Sequence, residues 1–263
     1  MSELVAIYLL NAGGADCAAI VDVIPGSEPP RRQAVLLDMG GHGPRVAEWL
    51  FVDLGIEDVR LIALRGQDED RVLTLASFMA AFAGRGGRIE AVRWLVDRAA
   101  TLQPLIGDDS AKDWLANQKV ASVEVLNHPD GRWLGAGEAI ALLPKGAASY
   151  RLFAVWPPGS REGDAAIRLA WDAGGPTVAL FGGELDYEAW RRLRDGGRDL
   201  RAPVFILPRH GGPGAPDRGF GAAELAAAVA PKWALVPVGT HQELAQGEER
   251  RPHADLVHAL REA

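Results

Sequence analysis

The sequence predicts an α/β protein with two sheets and helices interspersed. Three observations carry that expectation. Short apolar runs bounded by Gly, Pro, Asn and Asp recur along the chain and read as strands. Between them lie stretches with apolar residues at helical spacing, several stopping at a glycine. No Pro/Gly/Ser-rich linker is long enough to divide the chain and no internal repeat is evident, so residues 1–263 read as one domain.

Taken in order, Leu4–Leu10 and Cys17–Val23 are apolar runs separated by Asn11-Ala-Gly-Gly14, which supplies a tight turn: strand, turn, strand. Ala34–Asp38 is a third strand, with the Asp38 carboxylate at its C-terminal lip. Arg45–Leu54 has helical spacing at Val46, Trp49 and Leu50 and stops at Gly55. Val59–Leu64 is a buried strand, and Val72–Ala83 a helix ended by Gly84. In the middle, Ala91–Val96 reads as a strand and Ser110–Gln118 as a short helix capped by Ser110. Ser122–Leu126 and Ala139–Leu142 read as strands around the Asn127–Gly131 turn. Leu152–Val155 leads into Trp156-Pro-Pro158, and Ala166–Trp171 with Thr177–Phe181 makes a hairpin across Asp172–Gly175. The remainder reads as helix Leu185–Leu193, strand Val204–Leu207, helix Ala222–Val229, strand Trp233–Val236 and helix His253–Arg261.

Composition narrows the function classes. The chain carries 35 acidic against 28 basic side chains, a formal charge of −7, which argues against a broad basic nucleic-acid groove. A hydrophobic content of 48% with 24% charge excludes a wholly disordered chain. The single cysteine, Cys17, excludes an internal disulfide framework and a cysteine-based zinc cluster. The first residues lack the basic start and apolar length of a signal peptide, and no apolar run is long enough for a membrane span; a cytoplasmic protein without membrane contact is expected.

Polar groups suited to chemistry fall at strand ends: Asp38, the cluster Asp68-Glu69-Asp70, Glu184, His210 and His253. Carboxylates and histidines on loops after strands are how divalent-metal hydrolases gather ligands. Each has a plainer reading too. Asp38 suits a turn, Asp68-Glu69-Asp70 suits the N-terminus of the helix that follows, and His253 suits an exposed helix start. His210, within Pro208-Arg-His-Gly-Gly-Pro213, sits in a turn whose glycines let backbone approach a ligand.

The order of these segments resembles the metallo-β-lactamase fold, and within it the ComEC-type competence proteins. Asn11-Ala-Gly-Gly-Ala-Asp16 and Leu36-Leu-Asp-Met-Gly-Gly41 are similar to that branch's D-V-G-Q-G-D-A and L-I-D-x-G-G. Val155-Trp-Pro-Pro158 resembles L-x-P-P, and Val178–Leu185 resembles L-L-L-T-G-D-L. Pro203–Gly211 resembles the strand ending in P-H-H-G-S, Ala230–Gly239 resembles P-K-x-A-I-I-S-V-G, and Arg251–Val257 resembles H-P-H-P-E-V-L. The resemblance spans nearly the whole chain and implies a four-layer αββα sandwich.

It also implies a metal site that this chain has largely lost. Where the branch has T-H-P-D-A-D-H, the chain has Arg65-Gly-Gln-Asp-Glu-Asp-Arg71, which keeps Asp68 and Asp70 but puts Gly66 and Arg71 in place of histidines. The branch's metal-bridging acid corresponds to Glu184. Arg209 and Arg251 stand where the branch has histidines, while His210 and His253 remain. A guanidinium has no lone pair to offer a metal and repels a dication. Arg71, Arg209 and Arg251 are therefore expected to pair with Asp68, Asp70 and Glu184, holding by charge what metal holds in relatives. The alternative is that these arginines point to solvent and the pocket has decayed.

Two functional expectations follow. The first is a non-catalytic binding or scaffolding subunit of a larger bacterial assembly, with no cofactor, a protein partner of unknown identity, and an arginine-lined pocket open to an anionic ligand. The second is a divergent hydrolase holding one Zn or Mn ion through Asp68, Asp70, Glu184, His210 and His253, cleaving phosphodiesters of single-stranded nucleic acid. The missing histidines and the net charge of −7 tell against the second.

Overall fold

The computed structural model describes residues 5–10, 17–24, 26–39, 41–65, 69–96, 122–127, 140–143, 148, 150–158, 165–172, 175–212, 214–237 and 253–262; side chains are described outside 69–73, 94, 96, 122–127, 140–141 and 210. The expected helix at Ser110–Gln118 and the turn after Asn127 lie outside these residues. The chain divides into two compact units, one of residues 1–127 and 143–149, the other of residues 128–142 and 150–263.

Unit 1 contains β1 (Ala6–Leu9), β2 (Ala18–Val23), β3 (Arg32–Leu37), α1 (Gly43–Glu48), β4 (Asp58–Arg65), α2 (Glu69–Gly84), β5 (Arg88–Ile89), β6 (Ala91–Val96) and β7 (Ser122–Asn127). Among the described residues its sheet runs β1-β2-β3-β4-β6-β7, with β5 also on β4. The first two pairings are antiparallel, and those from β3 through β7 are parallel. Central strands buried on both faces read as continuous apolar runs, which is why Val59–Leu64 is legible as a strand. Leu75, Phe78, Met79 and Phe82 follow the helical three- and four-residue spacing, so α2 turns one apolar face to the core, with Phe78 and Phe82 stacked at 5.3 Å. Helix α1 approaches α2 closely at Gly43, where a Cβ would stand 2.4 Å from the Thr74 carbonyl oxygen.

One expected helix is broken. Arg45–Leu54 is not continuous: α1 ends at Glu48 and the chain widens into a π-helical turn, Trp49–Asp53, where the Leu54 N–H donates to the Trp49 carbonyl five residues back. Helix α2 starts three residues earlier than its apolar spacing suggests, and the two-residue strand β5 was not expected.

Unit 2 contains β8 (Ile140–Ala141), β9 (Arg151–Val155), β10 (Ala166–Ala170), β11 (Thr177–Phe181), α3 (Tyr187–Asp195), β12 (Val204–Ile206), α4 (Ala222–Val229), β13 (Trp233–Leu235) and α5 (Ala254–Glu262). Its sheet runs β13-β12-β11-β10-β9-β8. The hairpin β10–β11 forms as expected, with a bulge at Leu169/Ala170, while β11, β12 and β13 are parallel. Asp186 caps α3 by accepting the Ala189 N–H at 2.8 Å, which sets the helix start at Tyr187. Tyr187, Trp190 and Leu193 of α3, Leu225 and Val229 of α4, and Leu256 of α5 bury against Leu180 and Phe205 of the sheet. The Trp190 ring meets Phe205 edge-on at 5.6 Å.

Candidate functional site

In each unit an acid and an arginine stand at the carboxyl ends of two neighbouring parallel strands. This is where open α/β sheets collect ligands, because the loops leaving those ends diverge.

In unit 1 the pair is Asp38, directly after β3, and Arg65, the last residue of β4. The Asp38 N–H donates to the Ala63 carbonyl at 2.8 Å, continuing the β3–β4 ladder past the strand end. The carboxylate then takes the Arg65 backbone N–H on Oδ1 at 2.8 Å, and the Arg65 Nε at 2.8 Å and Nη2 at 2.5 Å on Oδ2. Both side chains are buried, 6% exposed for Asp38 and 3% for Arg65. The grip holds Asp38 at φ 58°, a left-handed conformation that costs a non-glycine residue about 1–2 kcal/mol. Charge-assisted bonds at this spacing, out of water, are the strong class.

Arg65 escaped the sequence reading, which credited the lip to Asp38 alone. The available signal was an arginine closing an apolar strand, where a solvent-facing side chain is the ordinary outcome. Asp68 lies outside the described residues. Asp70 and Arg71 fall in the first turn of α2 with their side chains undescribed.

In unit 2 the acid is Glu184, on the loop after β11, and the arginine is Arg209, on the loop after β12. Two contacts hold these loops together. The Gly182 N–H donates to the Ile206 carbonyl at 2.9 Å, and the Arg209 N–H donates to the Gly183 carbonyl at 2.6 Å. Gly182 is required there: a Cβ would stand 2.7 Å from the Pro208 nitrogen. The chain then makes a short 3₁₀ turn, Pro208–Gly211, with Arg209 at φ 46° and Gly211 at φ 83°. The Arg209 Nε stands 3.9 Å from Glu184 Oε2, an ion pair without a hydrogen bond, and the two side chains are 37% and 31% exposed. The expected Arg209–Glu184 pairing is thus present as a loose contact and not as a bidentate bond. A third loop joins them, since the His253 N–H at the head of α5 donates to the Gly211 carbonyl at 2.9 Å. Glu184, Arg209, Gly211 and His253 therefore share one lip of unit 2. His210 contributes backbone to the same turn with its side chain undescribed, and Arg251 lies outside the described residues.

Behind this lip Tyr187 is buried, and its hydroxyl finds no hydrogen-bond partner among the described residues. Burial pushes the phenol up to about 12, and the nearby Asp255 and Glu224 carboxylates push the same way. Glu224 itself lies below the usual carboxylate range, because its carboxylate accepts the Gly221 N–H at 2.9 Å.

The fold-type metal centre fits the described residues poorly. Both Asp38 oxygens are engaged by Arg65, and a dication on Glu184 would have the Arg209 guanidinium as a neighbour of like charge. Among the described residues no group of three or more His, Cys, Asp or Glu side chains gathers in ligating range.

Three comparisons place the chain. No protein-family model matches it, and no curated protein matches its sequence. Among solved structures it is similar to unliganded yeast PDE1, at 9% identity over 97% of this chain and 92% of that one, TM-score 0.54. It is also similar to the short form of human tRNase Z, at 11% identity over 90% of this chain and 93% of that one, TM-score 0.52. The metallo-β-lactamase fold protein YhfI from Bacillus subtilis matches at 11% identity over 90% of this chain and 88% of that one, TM-score 0.48. Identities this low speak to fold alone, and the α/β fold expected from the sequence is of the metallo-β-lactamase type. No helix among the described residues is long and apolar enough to cross a membrane.

Proposed function

We infer that this chain is a metallo-β-lactamase-type protein of the ComEC-like branch in which arginine has taken over the charge-balancing work of metal, and that it serves as a non-catalytic binding or scaffolding subunit. One observation carries the reading: each strand-end lip sets an arginine against its acid, Arg65 on Asp38 and Arg209 beside Glu184. A fixed guanidinium neutralises a carboxylate but cannot polarise a water into a nucleophile as a metal ion does.

The two lips have separate tasks in this reading. Arg65 locks the end of β3 to the end of β4. Arg209, partly exposed and only loosely paired, is the group that meets an anionic ligand such as a phosphate or carboxylate. Both units belong to a single cytoplasmic domain, and a protein partner completes the assembly.

Metal analysis of the protein purified without chelator tests the reading. Substoichiometric Zn and Mn, with no loss of thermal stability on adding a chelator, is the expected result. A near-stoichiometric ion that a His253→Ala variant loses would overturn it. The chain would then be a hydrolase using Asp68, Asp70, Glu184, His210 and His253, and phosphodiesters of single-stranded nucleic acid would be the first substrates to assay.

A further inference from the structure

The edge of the unit 2 sheet carries a feature that neither lip explains. Strand β13 is the last strand on its side, paired only to β12 among the described residues. A parallel edge is ordinarily covered, because parallel sheets live in protein interiors. Here Lys232, Trp233 and Ala234 are all exposed, and Trp233 is 69% exposed, the most open large apolar side chain among the described residues.

The hydrogen bonds show which backbone groups this edge offers. The Trp233 N–H donates to the Pro203 carbonyl at 2.9 Å, and the Leu235 carbonyl accepts the Leu207 N–H at 2.8 Å. Trp233 and Leu235 therefore turn their backbone groups toward β12, and by strand alternation the N–H and C=O of Ala234 point off the sheet. Prolines at 231 and 237 bracket the segment, limiting the edge to a few residues, and Ala234 presents no side chain large enough to block it.

The charge around the edge is positive in a chain whose net charge is −7. The Pro203 carbonyl takes both the Lys232 and the Trp233 N–H, which brings the loop carrying Arg198, Asp199 and Arg201 to this end of β13. Asp199 balances Arg201, leaving Arg198 and Lys232 in excess. Two copies joined edge to edge would set like charges together, whereas an acidic strand would complement them.

We propose that β13 is a docking edge for an extended acidic peptide segment of a partner protein, which adds as a further strand by pairing with Ala234 and packs an apolar side chain on Trp233. This is recognition of backbone, with specificity from side chains on either side. It stands whether or not the strand-end lips hold an ion.

The test uses the full chain and a fluorescein-labelled octapeptide of alternating Thr and Glu, with its Thr/Lys counterpart as control, read by fluorescence anisotropy. The Thr/Glu peptide is expected to bind and the Thr/Lys peptide not. Ala234→Pro removes the outward N–H without touching the β12 ladder, so it should abolish binding while circular dichroism and Tm stay unchanged. Trp233→Ala should weaken binding at least tenfold, on the order expected for a buried Trp anchor, and keeps the test alive should the proline variant misfold. Lys232→Glu should weaken it about fivefold. Absence of binding by the Thr/Glu peptide, equal binding of both peptides, or binding that survives both Ala234→Pro and Trp233→Ala overturns the proposal. A dimer in sedimentation that Ala234→Pro dissolves would assign the edge to a second copy instead, and also overturns it.

Discussion

In unit 1 an acid follows β3 and an arginine ends β4; in unit 2 an acid follows β11 and an arginine follows β12, and both strand pairs are parallel. Each lip also holds one of its charged residues at positive φ, Asp38 in the first and Arg209 in the second. The same parts give different outcomes because water reaches them differently. Asp38 and Arg65 are sealed, their bonds are short, and leaving either alone would strand a charge in a low-dielectric surround. Glu184 and Arg209 are each about a third exposed and 3.9 Å apart, so solvent screens them and their attraction is worth little to the fold. A pair that contributes little to stability is one a ligand can rearrange cheaply. Burial, more than residue type, separates the lip that is structural from the one that remains available.

The largest effect belongs to the sealed lip. Asp38→Ala leaves the Arg65 guanidinium buried without its carboxylate, and should cost about 3–5 kcal/mol in urea denaturation. Replacing both partners together, Asp38→Leu with Arg65→Met, should recover most of that loss, since apolar groups carry no desolvation penalty. A single-variant cost below about 1 kcal/mol, the range of exposed pairs, would mean that the two lips do not differ in kind.

A middle-sized effect probes the interior behind the open lip. The Tyr187 phenol sits near 12 in the folded protein against its ordinary 10. Above pH 10 the unfolded chain releases this proton while the folded chain keeps it, so the unfolded state binds fewer protons and stability falls with rising pH until about 12. Tyr187→Phe should flatten that alkaline limb. At neutral pH it should also stabilise the fold by about 1 kcal/mol, because it removes a buried hydroxyl without a partner. Identical alkaline limbs in the two proteins would show that the hydroxyl reaches water, and that the interior behind this lip is as open as the lip itself.

How much of this was legible in the sequence follows the same division between local and non-local causes. Strands such as Val59–Leu64 and Thr177–Phe181 declare themselves through apolar runs and turn residues, and α3 and α4 through their apolar spacing. The break after Glu48 does not, because a π-helical turn changes the hydrogen-bond step from four residues to five without a residue type to mark it. Strand β5 is two residues long and carries no period at all. Asp38 at the strand end was readable, but its bond to Arg65 depends on which strand lies beside β3 and in what register, with a bulge at Ala34/Val35 that no local pattern encodes. Arg209 stood out only through the resemblance. Its positive φ follows from the close packing of Gly182 against Pro208, a contact between loops more than twenty residues apart.

The smallest effects belong to the open lip, and there stability and binding should part company. Glu184→Gln should leave the unfolding free energy within about 0.5 kcal/mol of the parent, as befits a loose and partly solvated pair. Arg209→Gly removes the cation but also relieves a left-handed conformation that glycine adopts freely, a gain of up to about 1 kcal/mol that offsets the lost contact. The fold should therefore be unchanged or slightly more stable, while affinity for inorganic phosphate, followed by titration calorimetry, should fall to the detection limit. Arg209→Lys should recover part of that affinity, since a lysine keeps the charge but not the forked donors, and it retains the backbone strain. Phosphate affinity equal in the parent and Arg209→Gly proteins would remove the open lip from ligand recognition. A loss of stability in Arg209→Gly as large as that in Asp38→Ala would make Arg209 a second structural lock, and the contrast between the two lips would disappear.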